Sequence, residues 1–303
     1  MGAPLVIGVD VGGTKILSGI VERGGTVLSR ELVESPDGSE TQVLKALEAS
    51  VDALLDDRVA AIGLGVPANL ERGTRKVLQA TNIELDDFDL AAHMRERFGL
   101  PVGIENDAGA ATLAEWRLGA GRDVSNLVML TLGTGIGGGI VLDGELYRGW
   151  AEVGHIVVLA DGPPCQGNCH GRGHLEVLAS GTAADRAARE LFGDDADARL
   201  LVERASGEDE GAVARLDEIA GYLGAGIASL TNLFDPELVV VGGGFGEAAG
   251  DFLLKRAQAA ARAQALAPAD ATLRVVSAEL GADAGLIGAA LVGYAALDGD
   301  GAG

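Results

Sequence analysis

The sequence predicts an α/β protein built from two related α/β domains, on three observations. Apolar, β-branched runs alternate with segments of helical period. Glycine turns stand where those runs end. The order of strand, glycine turn and hairpin then occurs twice, offset by 120 residues.

Residues 5–9 are a continuous apolar run, followed by the turn DVGGTK and a second run at 16–21. Gly24 and Gly25 turn the chain into a third run at 26–33, which predicts a meander. Val43, Leu44, Leu47, Val51, Leu54 and Leu55 follow a helical period over 40–55. A buried strand is expected at 59–66, a helix at 90–98, a strand at 102–105 and a helix at 107–117. The pattern restarts with a strand at 127–132, the glycine turn GTGIGGG and a strand at 140–142. The offset aligns Gly13 with Gly133, Thr14 with Thr134, Gly19 with Gly139 and Gly24 with Gly144. Helices are expected at 183–191, 211–233, 246–265 and 284–296, and strands at ELVVVGGG and 273–276. The acidic stretch 194–210 and the tail DGDGAG read as loops or frayed ends. A smaller N-terminal domain, 1–118, and a larger C-terminal one, 119–303, are thus expected, with the last helix packing back on the first.

With 303 residues, 48% apolar and 22% charged, the chain is globular in composition. Its net charge of −22 opposes non-specific binding to nucleic acid or to anionic membranes. No apolar run of membrane-spanning length and no basic-then-apolar leader is evident, so a cytoplasmic protein is expected. Two cysteines make no disulfide framework.

GTGIGGG contains a G-x-G-x-x-G match at Gly133, Gly135 and Gly138, but a strand and not a helix is expected to follow. Glycine turns between strands can instead turn their backbone amides inward as an anion nest. Gly12, Gly13, Thr14 and Lys15 form one such turn, Gly133, Thr134 and Gly135 the other, and paired they would grip a polyphosphate. Asp10 ends the first strand and could hold Mg²⁺ through water. The bland alternative is two tight hairpins. Gly242, Gly243 and Gly244 end a buried strand before a helix, where a flat nucleoside or a simple turn fits equally.

IENDAGAATLAEW sets Glu105, Asn106 and Asp107 where a strand meets a helix. Helix capping accounts for Asn and Asp there. A base that orients a hydroxyl for phosphoryl transfer accounts for Asp107 as well, with Asn106 bonding a neighbouring hydroxyl.

Both cysteines and three of the four histidines crowd into 151–176, AEVGHIVVLADGPPCQGNCHGRGHLE. His155, Cys165, Cys169 and His174 supply four N/S ligands for a structural Zn²⁺, with His170 as a substitute. A Cys165–Cys169 disulfide and unrelated loop residues are the alternatives. A fixed loop would present Glu152, His155 and Glu176 to sugar hydroxyls.

DVGGTK, END, LGTGIGGGI, EVGH with its Cys/His loop ending in GHLE, and LVVVGGG together resemble the ROK family (repressor, open reading frame, kinase) across essentially the whole chain. The resemblance implies an actin-like, hexokinase-like ATPase fold with two domains around a cleft, and is nearest to the family's bacterial ATP-dependent glucokinases. It implies Asp107 as general base for a sugar 6-hydroxyl, with Asn82, Asn106, Asp107, Glu152, His155 and Glu176 holding the sugar. Phosphates would face Gly12, Gly13, Thr14, Lys15, Gly133, Thr134 and Gly135, and adenosine would face Gly243 and Gly244. ATP, Mg²⁺ and structural Zn²⁺ are the implied cofactors, and a homodimer or tetramer the implied assembly. The chain departs from the family's C-x-C-G-x-x-G-C-x-E loop. Gly167 stands at its first Cys, Cys165 precedes it by two, His170 replaces its glycine and His174 takes its last Cys position. GVPANL also lacks the second glycine that many glucokinases carry after Pro67.

A glucokinase is therefore expected. Kinases for N-acetylmannosamine, fructose or allose, or a polyphosphate-using glucokinase, are the neighbouring alternatives. A sugar-sensing regulator without catalysis is the alternative from another class. Family regulators carry a winged-helix domain before the DxGxT turn, whereas Asp10 stands close to the first residue and END is intact.

Overall fold

A computed structural model describes residues 3–36, 38–81, 83–167 and 169–299. They divide into two compact units: unit 1 from 1–118, 148–150 and 283–303, unit 2 from 119–147 and 151–282, each over its described residues.

Unit 1 begins with an antiparallel meander, β1 (Leu5–Val11), β2 (Lys15–Val21) and β3 (Val27–Glu34). Helix α1 (Glu40–Asp52) follows, with Gln42 Oε1 accepting the Ser39 backbone N–H at 3.0 Å, and buries Val43, Leu44, Leu47 and Val51. β4 (Val59–Val66) then pairs parallel to β1. A small hairpin comes next, β5 (Ala68–Leu70) with β6 (Val77–Ala80). Helix α2 (Leu90–Phe98) is capped by Asp89 and closed by Gly99 at a φ of 67°. β7 (Val102–Asn106) pairs parallel to β4, and α3 (Asp107–Leu118) follows without a loop. The sheet order is β3-β2-β1-β4-β7.

Unit 2 repeats the plan. β8 (Leu127–Leu132), β9 (Ile136–Leu142) and β10 (Glu145–Leu146) form an antiparallel meander. Helices α4 (Leu175–Ala179), α5 (Gly181–Phe192), α6 (Ala198–Ser206) and α7 (Glu210–Phe234) lead to β11 (Leu238–Gly242), parallel to β8. Helices α8 (Gly244–Arg262) and α9 (Ala269–Thr272) then precede β12 (Val275–Ser277), parallel to β11. The order β10-β9-β8-β11-β12 matches that of the first sheet, strand for strand and in sense. The repeat is offset by 120 after the turn and by 121 before it. Val11 pairs with Ile16, whereas Leu132 pairs with Ile136, so the second turn is one residue shorter.

The helix α10 (Ala284–Asp298) returns the chain to unit 1. Gly8, Gly63 and Gly103 stand side by side on β1, β4 and β7. A Cβ on any of them would meet the α10 carbonyls of Leu286, Ala289 and Val292, one for each strand. The missing side chains let helix and sheet meet backbone to backbone. Each unit has its own apolar core. One is centred on Ile7, Ile62, Leu64 and Leu47, the other on Leu130, Leu216, Leu223 and Val239.

Three expectations are corrected. Residues 136–139, expected in the turn, lie inside β9 and pair with β8, Gly138 packing on the Met129 carbonyl where a Cβ would collide. The acidic stretch 194–210 holds α6, capped by Asp197 Oδ1 on Leu200 N–H at 2.9 Å and anchored by buried Leu201 and Ala205. The hairpin β5–β6 stands where no element was expected.

Candidate active site

In unit 1 the first glycine turn is closed by the Gly12 N–H on the Lys15 carbonyl at 2.8 Å, and Thr14 and Lys15 are exposed. Asp10 lies beside Gly285 in the first turn of α10, with no room for a Cβ between them. Burial pushes its carboxyl up to about 6. A cation beside this carboxylate would lower it again. Thr131 occupies the equivalent place in unit 2, opposite Gly137 as Asp10 is opposite Leu17.

At the end of β7 the capping explanation falls on Asn106. Asn106 Oδ1 accepts the Gly109 N–H at 3.1 Å, the bond of an N-cap, and Asn106 Nδ2 donates to the Ala68 carbonyl at 3.3 Å. Asp107 opens the helix, its Oδ1 accepting the Ala108 N–H at 2.8 Å. Capping is thus performed by Asn106. Glu105 is buried, accepts the Asn106 N–H at 2.9 Å, and forms an ion pair with Arg75.

In unit 2 the second glycine turn is braced from three directions. The Thr134 carbonyl accepts the Thr182 hydroxyl at 2.7 Å and Gln166 Nε2 at 3.1 Å. The Gly133 carbonyl accepts the Gly181 N–H at 2.8 Å. Glu176 Oε2 accepts the Ile136 N–H at 2.9 Å and lies where a Cβ of Gly135 would be. A side chain at Gly135 would displace the Glu176 carboxylate from its bond to Ile136. Burial pushes the Glu152 carboxyl above the ordinary glutamate value, His155 pulls it down and Glu176 pushes it up.

The ligand atoms of His155, Cys165, Cys169 and His174 all lie within 4.8 Å of one another. His155 Nδ1 is 3.2 Å from His174 Nδ1 and 3.8 Å from Cys165 Sγ, and Cys169 Sγ is 3.5 Å from His174 Nδ1. Zinc bond lengths in a tetrahedron require edges of about 3.3 Å between two nitrogens and about 3.6 Å between N and S. The donor set and its spacing fit that ion. Without a cation, burial and the hydrogen bond with Cys169 push the Cys165 thiol up to about 11. A divalent ion would reverse this. His170 is exposed and stands outside the cluster, while Cys165 is within it.

Gly243 caps α8 at a φ of 83°, and a Cβ on it would collide with the Leu132 backbone. Gly244 is exposed, with nothing within 4 Å of where a Cβ would be. That is an open backbone surface at a helix start. Asn82 lies outside the described residues. Gln166 and Thr182 are contacts that sequence reasoning missed, since neither falls in a glycine or acidic motif.

No helix among the described residues is long and apolar enough to cross a membrane. The model of the ROK family matches residues 6–294. The chain is 35% identical to a glucokinase of Streptomyces coelicolor, over 94% of this chain and 96% of that protein. It is 32% identical to an N-acetylmannosamine kinase of Haemophilus influenzae, over 94% and 93%. Among solved structures, a ROK family glucokinase from Streptomyces griseus in complex with glucose and AMPPNP superposes with a TM-score of 0.83 at 35% identity, covering 96% of this chain and 99% of that one. The fold of these glucokinases is the actin-like, hexokinase-like one, and the chain belongs to the ROK family.

Proposed function

We propose that this chain is an ATP-dependent hexose kinase that transfers the γ-phosphoryl group of ATP to the 6-hydroxyl of glucose. The observation that carries the reading is the start of α3, where Asn106 makes the cap on Gly109 and Asp107 beside it brings a carboxylate to the end of β7. Similarity to the Streptomyces glucokinases supports both donor and acceptor.

In this reading Asp107 accepts the proton as the sugar oxygen bonds to the γ-phosphorus and the bond to the β–γ bridging oxygen breaks. Asn106, Glu152, His155 and Glu176 hold the other hydroxyls. The Asn106 to Ala68 bond is set beforehand, so positioning would cost little at the moment of reaction. The amides of Gly13 and Gly135, with Thr14, Thr134 and Lys15, receive the phosphates, while Gly12 and Gly133 face them as the residues whose own N–H groups close the two turns. Gly243 and Gly244 face the adenosine. Mg²⁺, held through Asp10, would neutralise phosphate charge. Zinc on His155, Cys165, Cys169 and His174 would fix the loop that ends in Glu176, a structural role. His155 offers Nδ1 to that cluster and keeps Nε2 for the sugar.

The test is ADP release with Mg-ATP across glucose, N-acetylmannosamine, fructose and allose, comparing kcat/KM. Preference for glucose supports the assignment. Preference for N-acetylmannosamine, the acceptor named for the Haemophilus relative, keeps the mechanism and changes the acceptor. Sugar binding without turnover on any of them favours a sensor.

A further inference from the structure

Arg75 stands in the turn between β5 and β6 with a φ of 61°. That left-handed conformation favours glycine, and a long side chain pays an energetic cost to adopt it. An outlier of this kind calls for a reason in the surroundings. The guanidinium supplies one, since it pairs with Glu105 Oε1 and the two side chains are only 11% and 12% exposed. The same oxygen accepts the Asn106 N–H at 2.9 Å. Arg75 is therefore one carboxylate away from the backbone of the residue that caps α3.

The hairpin has a second attachment to that junction. Its foot, the Ala68 carbonyl, accepts Asn106 Nδ2 at 3.3 Å. Tip and foot thus fasten on neighbouring residues of one strand end, immediately before Asp107. The first turn of α3 leaves Glu105 little freedom to move, because Gly109 approaches it where a Cβ would lie 3.2 Å from Glu105 Cγ. A nearly buried carboxylate deprived of its cation would be forced to shift toward water or to protonate.

We propose that Arg75 is a positioning residue for phosphoryl transfer, its ion pair with Glu105 holding the β7–α3 junction so that Asp107 is presented in a fixed place. The hairpin β5–β6 is then part of the catalytic machinery. Arg75 touches neither substrate and acts through Glu105 and the Asn106 backbone. The inference rests on the kinase reading of Asp107.

Arg75→Gly removes the guanidinium and relieves the backbone strain in one step. Expected is a loss in kcat of roughly ten- to a hundredfold, the scale of a small misplacement of a catalytic group, with KM for sugar and for ATP nearly unchanged. Glu105→Gln added to R75G removes the unpaired charge, keeps an acceptor for the Asn106 N–H, and should restore most of kcat. A merely structural turn residue would show no such rescue. Arg75→Met, matched in length, is read the same way should R75G be recovered unfolded. Wild-type kcat in either variant overturns the proposal. So does a loss confined to KM, or one that E105Q leaves unrepaired. A wild-type chain that phosphorylates no sugar overturns the kinase reading instead, whereas an active wild type with an unaffected R75G overturns only the role of Arg75.

Discussion

Asp107→Asn tests the base most directly, because asparagine can keep the bond that Asp107 makes to the start of the helix. The Asp107 Oδ1 that accepts the Ala108 N–H at 2.8 Å has a counterpart in asparagine, and the cap on Gly109 comes from Asn106. Helix α3 therefore keeps both bonds at its start. What it loses is a negative charge in the first turn, worth about 0.3–1 kcal/mol against the helix dipole. For a protein of this size that is a fall in Tm of a few degrees at most, at roughly 2–4 °C per kcal/mol. Catalysis loses its proton acceptor, an effect of roughly 10²- to 10⁴-fold. At about 1.36 kcal/mol per tenfold this is about 3–5 kcal/mol of barrier, several times the stability change. The assay is coupled ADP release at saturating glucose, alongside sugar binding by calorimetry and a thermal melt. The expected outcome is a collapse of kcat with sugar affinity within a few-fold and a near-normal melt. Turnover within tenfold of wild type would refute the role of Asp107, and a collapsed melt would refute the account of the helix start.

Metal analysis of protein purified without chelator should give about one zinc per chain, and Cys169→Ser should reduce it well below that; a chain with no zinc that still phosphorylates glucose normally would remove the loop from the mechanism. Asp10 makes a pH prediction. Its folded pKa, raised to about 6 from an ordinary 3.8, means the folded state binds more protons than the unfolded one between those values. Stability is then lost as pH rises through that window, by about 3 kcal/mol at 1.36 kcal/mol per pH unit. Without Mg²⁺, Asp10→Asn should accordingly melt higher than wild type at pH 7.5 and equal to it near pH 4, while losing activity. An unchanged melt at pH 7.5 would show that Asp10 is well solvated.

Much of this molecule was legible because its strands are written in contiguous apolar runs. Strands 59–66 and 127–132 have the bounds read from sequence, since burial on both faces keeps each run almost wholly apolar, and helix 90–98 has them because Asp89 caps its start and Gly99 its end. The hairpin β5–β6 was not legible. It is polar along ERGTRK, its strands are three and four residues long, and its turn uses Arg75 at a φ that sequence assigns to glycine. Helix α6 hid because only Leu201 and Ala205 are buried, one turn apart, among charged neighbours. Of the candidate site, the glycine turns, the acid at the start of α3 and the metal cluster all lie in short motifs. The braces on them do not. Gln166, Thr182 and Arg75 meet their partners 32, 48 and 30 residues away, a distance over which no local pattern carries information.

The row of glycines beneath α10 bears on how the chain is made. A ribosome delivers unit 2 whole before the residues of α10 emerge, yet β1, β4 and β7 have been made before it, with a bare backbone groove between them. The sheet of unit 1 is thus held incomplete until unit 2 has been made and is closed by the helix that follows it. A nascent or truncated product lacking that segment carries an open seam of unpacked glycine and valine. Quality control would meet that seam as the mark of an unfinished chain.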